Sequence, residues 1–184
     1  MAVESNMTFR LGTEMPTFEL PDVIDDTLRT QAFFDGSTAR VVVFLCRHCP
    51  YVVHVRDALI RLARNYETNS AKFLAISSND ASQYPDDAPE RLKEMALEEQ
   101  FPFPILYDES QGVARAFSAA CTPDFFIFDA ENKLAYRGRF DDSTPGNGRA
   151  VTGNDLRYAL DAILVGEPVS GEQFPSLGCS IKWK

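Results

Sequence analysis

Apolar residues along this chain follow two periods. Val41-Val42-Val43-Phe44-Leu45 is an unbroken, largely β-branched run and predicts a central strand over 40–45, buried on both faces. Directly after it the period changes to three and four. Val52, Val55, Leu59, Leu62, Ala63 and Tyr66 recur on one side, while Arg56, Asp57, Arg61 and Arg64 fall elsewhere, which predicts an amphipathic helix starting near Pro50. Phe73-Leu74-Ala75-Ile76 predicts a second buried strand, followed by a polar stretch over 77–87. Pro89 then opens a helix reaching Gln100, with Leu92, Met95 and Ala96 inward. Ile105-Leu106-Tyr107 predicts a short strand and 111–117 a short helix.

The remaining segments are shaped by turn residues. Leu11 to Asp22 alternates around Pro16 and Pro21 and predicts an edge hairpin, and Asp35-Gly36-Ser37-Thr38 predicts a turn. Asp129-Ala130-Glu131-Asn132 separates the apolar runs Phe125–Phe128 and Leu134–Phe140, so a second hairpin makes the sheet mixed rather than parallel. Thr152-Gly153-Asn154-Asp155 has the form of a capping box for a last helix, with Leu156, Leu160 and Ile163 inward and Gly166 closing it. Beyond it, Pro168, Gly171, Pro175 and Gly178 predict an irregular tail. The expectation is one α/β domain over 1–184, a mixed sheet flanked by helices, with a hairpin extension at 1–36 and the tail at 167–184.

Charge narrows the partners. The net charge is −9, and Lys and Arg are not clustered beyond Lys182 and Lys184, so nucleic acid and anionic membrane are poor partners. No apolar run has the length of a membrane span, and the start lacks a basic region followed by an apolar one, which predicts a cytoplasmic protein if the chain is complete.

The chemistry lies where the first strand meets its helix, at Cys46-Arg47-His48-Cys49. Two thiols three positions apart at a helix start can close a disulfide across one turn, and the helix N-terminus favours a thiolate. Cys46 is expected as the nucleophile, its pKa lowered from about 8.5 into a range of roughly 3.5–7.5, and Cys49 as the resolving thiol. Arg47 and His48 add positive charge, and His48 is expected to stabilise the thiolate and make the disulfide more oxidising. His54 is expected to be an ordinary helix-surface residue. A structural zinc site wants four ligands, and the sequence holds no second C-x-x-C or His pair, so no metal and no cofactor is expected. Cys121 reads first as a small core cysteine and second as an accessory redox thiol. Cys179 lies in the tail, expected first to be a strap burying Trp183 and second to bring an accessory thiol back to Cys46 or Cys121.

The C-x-x-C after the first central strand, with Thr122-Pro123 ahead of a Phe-rich strand, resembles the thioredoxin superfamily and implies a thioredoxin-like fold over residues 10–184. Gly12, Met15-Pro16, Phe18 and Leu20-Pro21-Asp22 resemble its redoxin branch, which includes the alkyl hydroperoxide reductase/thiol-specific antioxidant group and TlpA/ResA-like oxidoreductases. Gly178-Cys179-Ser180-Ile181-Lys182-Trp183-Lys184 resembles a group of bacterial thioredoxin-like proteins in that branch. The resemblance implies a cis Pro123 against the dithiol, with the Thr122 backbone offering hydrogen bonds to an extended substrate strand. It implies exchange with disulfide-containing proteins or small thiols and an upstream dithiol reductant.

Departures from the pattern matter. Leu45 and Arg40 stand where thioredoxins carry a Trp and a buried acid, so the proton acceptor for Cys49 is unidentified. Peroxiredoxins use Pro-x-x-x-Thr-x-x-Cys, and the matching positions are Ala39 and Val43 before Cys46, or Val42 and Cys46 before Cys49. That argues against the alternative of a thiol-dependent peroxidase. A copper or zinc carrier using Cys46, His48 and Cys49 is the further alternative.

Overall fold

The computed structural model describes residues 2–67, 70–169 and 171–184. Its strands are β1 (Ala2–Glu4), β2 (Glu19–Pro21), β3 (Leu28–Thr30), β4 (Ala39–Phe44), β5 (Ala71–Ser77), β6 (Ile105–Tyr107), β7 (Cys121–Thr122), β8 (Asp124–Phe128), β9 (Leu134–Gly138) and β10 (Leu177–Ser180). The helices are α1 (Pro50–Tyr66), α2 (Pro89–Glu98), α3 (Gly112–Ala116) and α4 (Asn154–Leu164). No described helix is long and apolar enough to cross a membrane.

The central sheet has the order β6-β5-β4-β8-β9. β4 lies in its middle, parallel to β5 and antiparallel to β8. Because side chains alternate along a strand, β4 feeds two cores. Val41 and Val43 pack with Val52, Val55, Leu59, Leu92, Leu156 and Leu160, so α1, α2 and α4 cover one face. Val42 and Phe44 pack with Leu74, Ile76, Ala114, Phe117, Phe126 and Phe128, which puts α3 and the N-terminal segment on the other. An unbroken apolar run in β4 is what two covered faces require.

The expectations for the N-terminal hairpin and for the start of α4 are corrected. The N-terminal hairpin pairs Glu19–Pro21 with Leu28–Thr30, beginning where the 11–22 hairpin was expected to end. Residues 12–15 instead bond to the β8–β9 turn and the start of β9, with Met15 N donating to Asn132 O at 2.9 Å. The start of α4 is not a capping box: Gly153 caps it at φ 67°, and the Asp141 carboxylate accepts the N–H groups of Thr152 and Gly153, each at 2.6 Å. A Cβ at Gly153 would lie 2.6 Å from the Phe140 ring, so glycine serves both conformation and space.

The tail is also not irregular throughout. β10 inserts between β1 and β7, with Cys179 opposite Thr122 and Ser180 opposite Cys121. Ile181 is buried at 3 % exposure while Trp183 remains 37 % exposed beneath the Arg115 guanidinium, so the tail's anchor is Ile181 and not the indole.

Candidate functional site: a dithiol on the Thr122 hub

β4 ends at Phe44, and its chain runs on through Leu45 to Cys46, at the C-terminal end of the sheet's middle strand and just before the start of α1. Cys49 is the N-cap of α1 (φ −68°, ψ 123°), and Pro50, which has no N–H to leave unpaired, takes the first helical position. Both thiols are covered, Cys46 at 1 % and Cys49 at 0 % exposure.

Thr122 joins them. Its peptide bond to Pro123 is cis. The Thr122 hydroxyl lies 3.3 Å from Cys46 Sγ, and Cys49 Sγ donates to the Thr122 carbonyl at 3.1 Å. The two thiols thus meet on one residue, and they titrate as a unit. Interaction with Cys49, then burial, then the Asp87 carboxylate push Cys46 far above the ordinary thiol range, while the Thr122 hydroxyl pulls it down. The same interaction lowers Cys49 to about 4 against the opposing effect of burial, helped by Cys179 and the Val52 N–H. The dithiol therefore gives up its first proton readily and holds the second. This corrects the expectation of a lowered Cys46: the single negative charge of the pair falls first on Cys49, and Cys46 becomes the thiolate only when its proton passes to Cys49, whose sulfur faces the Thr122 carbonyl at 3.1 Å.

Around the C-x-x-C loop the central residue is Asp87, fully buried. It accepts the Arg47 backbone N–H at 2.8 Å and the Asn79 side-chain amide at 2.7 Å, and His48 Nδ1 donates to it at 2.8 Å. The His48 ring stacks on Tyr84 with centroids 6.0 Å apart. His48 is thus fixed by a carboxylate, and that carboxylate opposes the Cys46 thiolate. Arg47 enters the network through its backbone. Cys46, His48 and Asp87 bring one donor atom each within 4.8 Å of one another, three of the four ligands a structural zinc site wants. Both Asp87 oxygens are already engaged by protein donors, which accounts for the cluster without a metal.

Cys121 is fully buried and faces the carbonyls of Pro123 and Ser176 at 3.7 and 3.9 Å; burial and then Asp124 push its pKa up. Cys179 is half-buried, lies opposite Thr122 and packs against the cluster that holds Cys46 and Cys49; burial and then interaction with Cys49 raise it to about 11. A cavity of about 260 Å³ opens beside Pro123, lined by Tyr51, His54, Phe140, Ser143 and Phe174 among others. His54 is therefore not an ordinary surface residue: its Nε2 lies 3.0 Å from Ser143 Oγ at the cavity wall.

One expected role is overturned. The Thr122 edge expected to receive an extended substrate strand is paired with β10 of the chain itself. Gly178 makes that fit possible, since a Cβ there would lie 2.0 Å from the Thr122 carbonyl oxygen.

A family model described as the AhpC/TSA family matches residues 11–137, a span that holds Cys46, Cys49, Asp87, Thr122 and Pro123 and stops before Cys179. The chain is 54% identical to an uncharacterized conserved protein from Geobacillus kaustophilus, whose structure superposes with a TM-score of 0.97; the match covers 100% of this chain and 97% of that one. A hypothetical protein from Sinorhizobium meliloti is 46% identical, with a TM-score of 0.96 and 98% of each chain covered. A thiol:disulfide interchange protein of the thioredoxin family from Chlorobium tepidum is 17% identical, with a TM-score of 0.64 and coverage of 84% and 97%, a likeness of fold alone. A search of curated proteins finds no match.

Proposed function

The chain belongs to the AhpC/TSA family, a redoxin family with the thioredoxin-like fold, and we propose that it works as a thiol–disulfide oxidoreductase through Cys46 and Cys49. The observation that carries this reading is the pair of sulfurs held on one residue, Cys46 Sγ at 3.3 Å from the Thr122 hydroxyl and Cys49 Sγ at 3.1 Å from the Thr122 carbonyl. In the first step the Cys46 thiolate attacks a substrate disulfide R–S–S–R′, a mixed disulfide forms, and R′S⁻ leaves. For that attack the remaining proton lies on Cys49, donated to the Thr122 carbonyl, and the Thr122 hydroxyl donates to Cys46. Cys49 then attacks Cys46 Sγ; the Cys46–Cys49 bond forms, the bond from Cys46 to SR breaks, and the Cys49 proton passes to that sulfur, which leaves as RSH. An upstream dithiol reductant returns the two electrons.

The substrate reading follows from the cover over Thr122. With β10 on that edge, the cavity beside Pro123, which Tyr51 and Val55 of α1 also line, offers an approach that favours small disulfides over extended polypeptide. The cytoplasmic assignment is part of this proposal and rests on the use of a dithiol in a reducing compartment.

Cys46→Ser is expected to abolish turnover of a small disulfide, followed with a dithiol reductant in excess. Full activity in that variant would refute the reading. Family membership keeps a peroxidase as the second reading. Stopped-flow mixing with a hydroperoxide separates the two: slow consumption, as expected from Val43 and Ala39 at the peroxidatic motif positions, supports the oxidoreductase, and rapid formation of a Cys46 sulfenic acid supports the peroxidase.

A further inference from the structure

Three thiols, not two, converge on Thr122. In an antiparallel pair, residues directly opposite each other project to the same face. Cys179 lies opposite Thr122, so its side chain shares the face on which the Thr122 hydroxyl meets Cys46. Cys179 also packs against the cluster that contains Cys46 and Cys49.

The tail is built to hold that sulfur in place. Gly178 allows the backbones to approach. Past Cys179, Ile181 N donates to Ala120 O at 3.1 Å, Lys182 N donates to Asn79 Oδ1 at 2.9 Å, and buried Gln111 donates to Lys182 O at 2.8 Å. Asn79 is the residue whose amide also holds Asp87 beneath the C-x-x-C loop. The strand carrying Cys179 is therefore tied to the same network as the dithiol. Of the three sulfurs it is also the most open to solvent, Cys46 and Cys49 being at 1 % and 0 % exposure.

We propose that Cys179 is the sulfur through which electrons enter the protein, by forming a disulfide with Cys49. The proposal rests on Cys46 and Cys49 being the redox pair. After substrate reduction, the Cys179 thiolate attacks Cys49 Sγ of the Cys46–Cys49 disulfide. The Cys49–Cys179 bond forms, the Cys46–Cys49 bond breaks, and Cys46 leaves as a thiolate that takes the proton Cys179 gave up. No electrons are gained or lost in this exchange. The dithiol reductant then attacks Cys179 Sγ, Cys49 leaves as a thiolate, and the second thiol of the reductant closes its own disulfide and frees Cys179. Substrate meets Cys46 and reductant meets Cys179, at opposite ends of a relay whose middle member is Cys49.

The test oxidises the full-length Cys46→Ser variant with diamide at low protein concentration and maps the bonds by mass spectrometry without reduction. The expected result is a monomer with Cys49 joined to Cys179 and Cys121 the one free thiol of the remaining three. The oxidised native protein is expected to show the same cross-link beside Cys46–Cys49. Three free thiols in Cys46→Ser, a bond to Cys121, or bonds only between chains would overturn the proposal. As a second readout, reduction of oxidised Cys179→Ser by dithiothreitol is expected to be slower than for the native protein by about ten-fold or more, because attack must then reach a covered sulfur. An unchanged rate would also overturn it. The underlying pair is scored separately: a Cys46–Cys49 disulfide in oxidised Cys179→Ser upholds the proposed function whatever the fate of the relay, and its absence there sinks that function itself.

Discussion

Asp87 is the residue on which the site's electrostatics turn. Its carboxylate is buried beside Cys46, raises that thiol, and takes hydrogen bonds from three donors. Replacing it with Asn removes the charge and keeps much of the shape. Asp87→Asn is expected to lower the pKa at which Cys46 ionises, because the charge that opposes the thiolate is gone. Each unit of lowering is worth about ten-fold in thiolate at a pH below the pKa. The rate of iodoacetamide labelling against pH, read by mass at Cys46, checks this; a profile unmoved or displaced to higher pH would contradict it. The Cys46/Cys49 pair was legible from its spacing at a strand-to-helix junction, and Pro123 from the superfamily resemblance that the Thr-Pro pair carries. Asp87 was not, since nothing in the pattern separates it from Asp80 and Asp86 in the same polar stretch. Its role comes from the short 3-10 turn Pro85–Asp87, which aims one of these carboxylates inward.

At the level of elements, β10 decides what the site can meet. It is four residues long, lies between Pro175 and the chain end, and pairs with the two-residue β7. Neither partner has a hydrophobic period long enough to be seen in sequence, which is why the tail reads as irregular there. The helices fare better: every inward position expected in α1, α2 and α4 is buried, because a three-and-four period over ten or more residues survives any tertiary arrangement. The start of α4 misled because Thr152 and Asp155 fit a capping pattern, whereas Asp155 pairs with Arg139 at 2.6 Å, Gly153 is the N-cap, and the chain entering the helix is held by Asp141 from a different segment. The pairing of β10 leads to a direct expectation for Gly178→Ala. The added methyl cannot coexist with the Thr122 carbonyl, so β10 must lift, at a cost of about 1–3 kcal/mol. Backbone amide exchange over 177–181 is expected to speed up while that of β4 and β5 stays slow. Unchanged protection in β10 would show that the strand does not depend on this close approach.

Across the whole molecule, the pairing of Asp124 with Arg137 ties stability to pH. Both are fully buried, 3.3 Å apart, with the guanidinium also over the Phe126 ring and donating to Ser118 O. One Asp124 oxygen and two Arg137 nitrogens have no hydrogen-bond partner among the described residues. Burial raises Asp124 from 3.8 to about 6, against the pull of Arg137. A carboxyl group raised in the folded state stabilises it fully below the unfolded value and loses that contribution as pH rises through the folded one. The window is therefore between about 4 and about 6, and roughly two units at about 1.4 kcal/mol each amount to about 3 kcal/mol. Urea unfolding of the native protein and Asp124→Asn at both ends of that window is expected to show the variant gaining on the native protein by an amount of this order as pH rises. A difference that stays constant, or moves the other way, would contradict the assignment. The surface outside this core carries the net charge of −9 that made phosphate-bearing partners poor ones.

The most direct measurement is equilibration of the native protein with glutathione buffers across a range of potentials, with the bonds at Cys46 and Cys49 mapped by mass at each step. The expected result is one reversible two-electron transition involving that pair, on the less negative side of about −270 mV, because the dithiol is stabilised by its single negative charge. A protein that forms no disulfide at Cys46 or Cys49 at any potential would contradict the account.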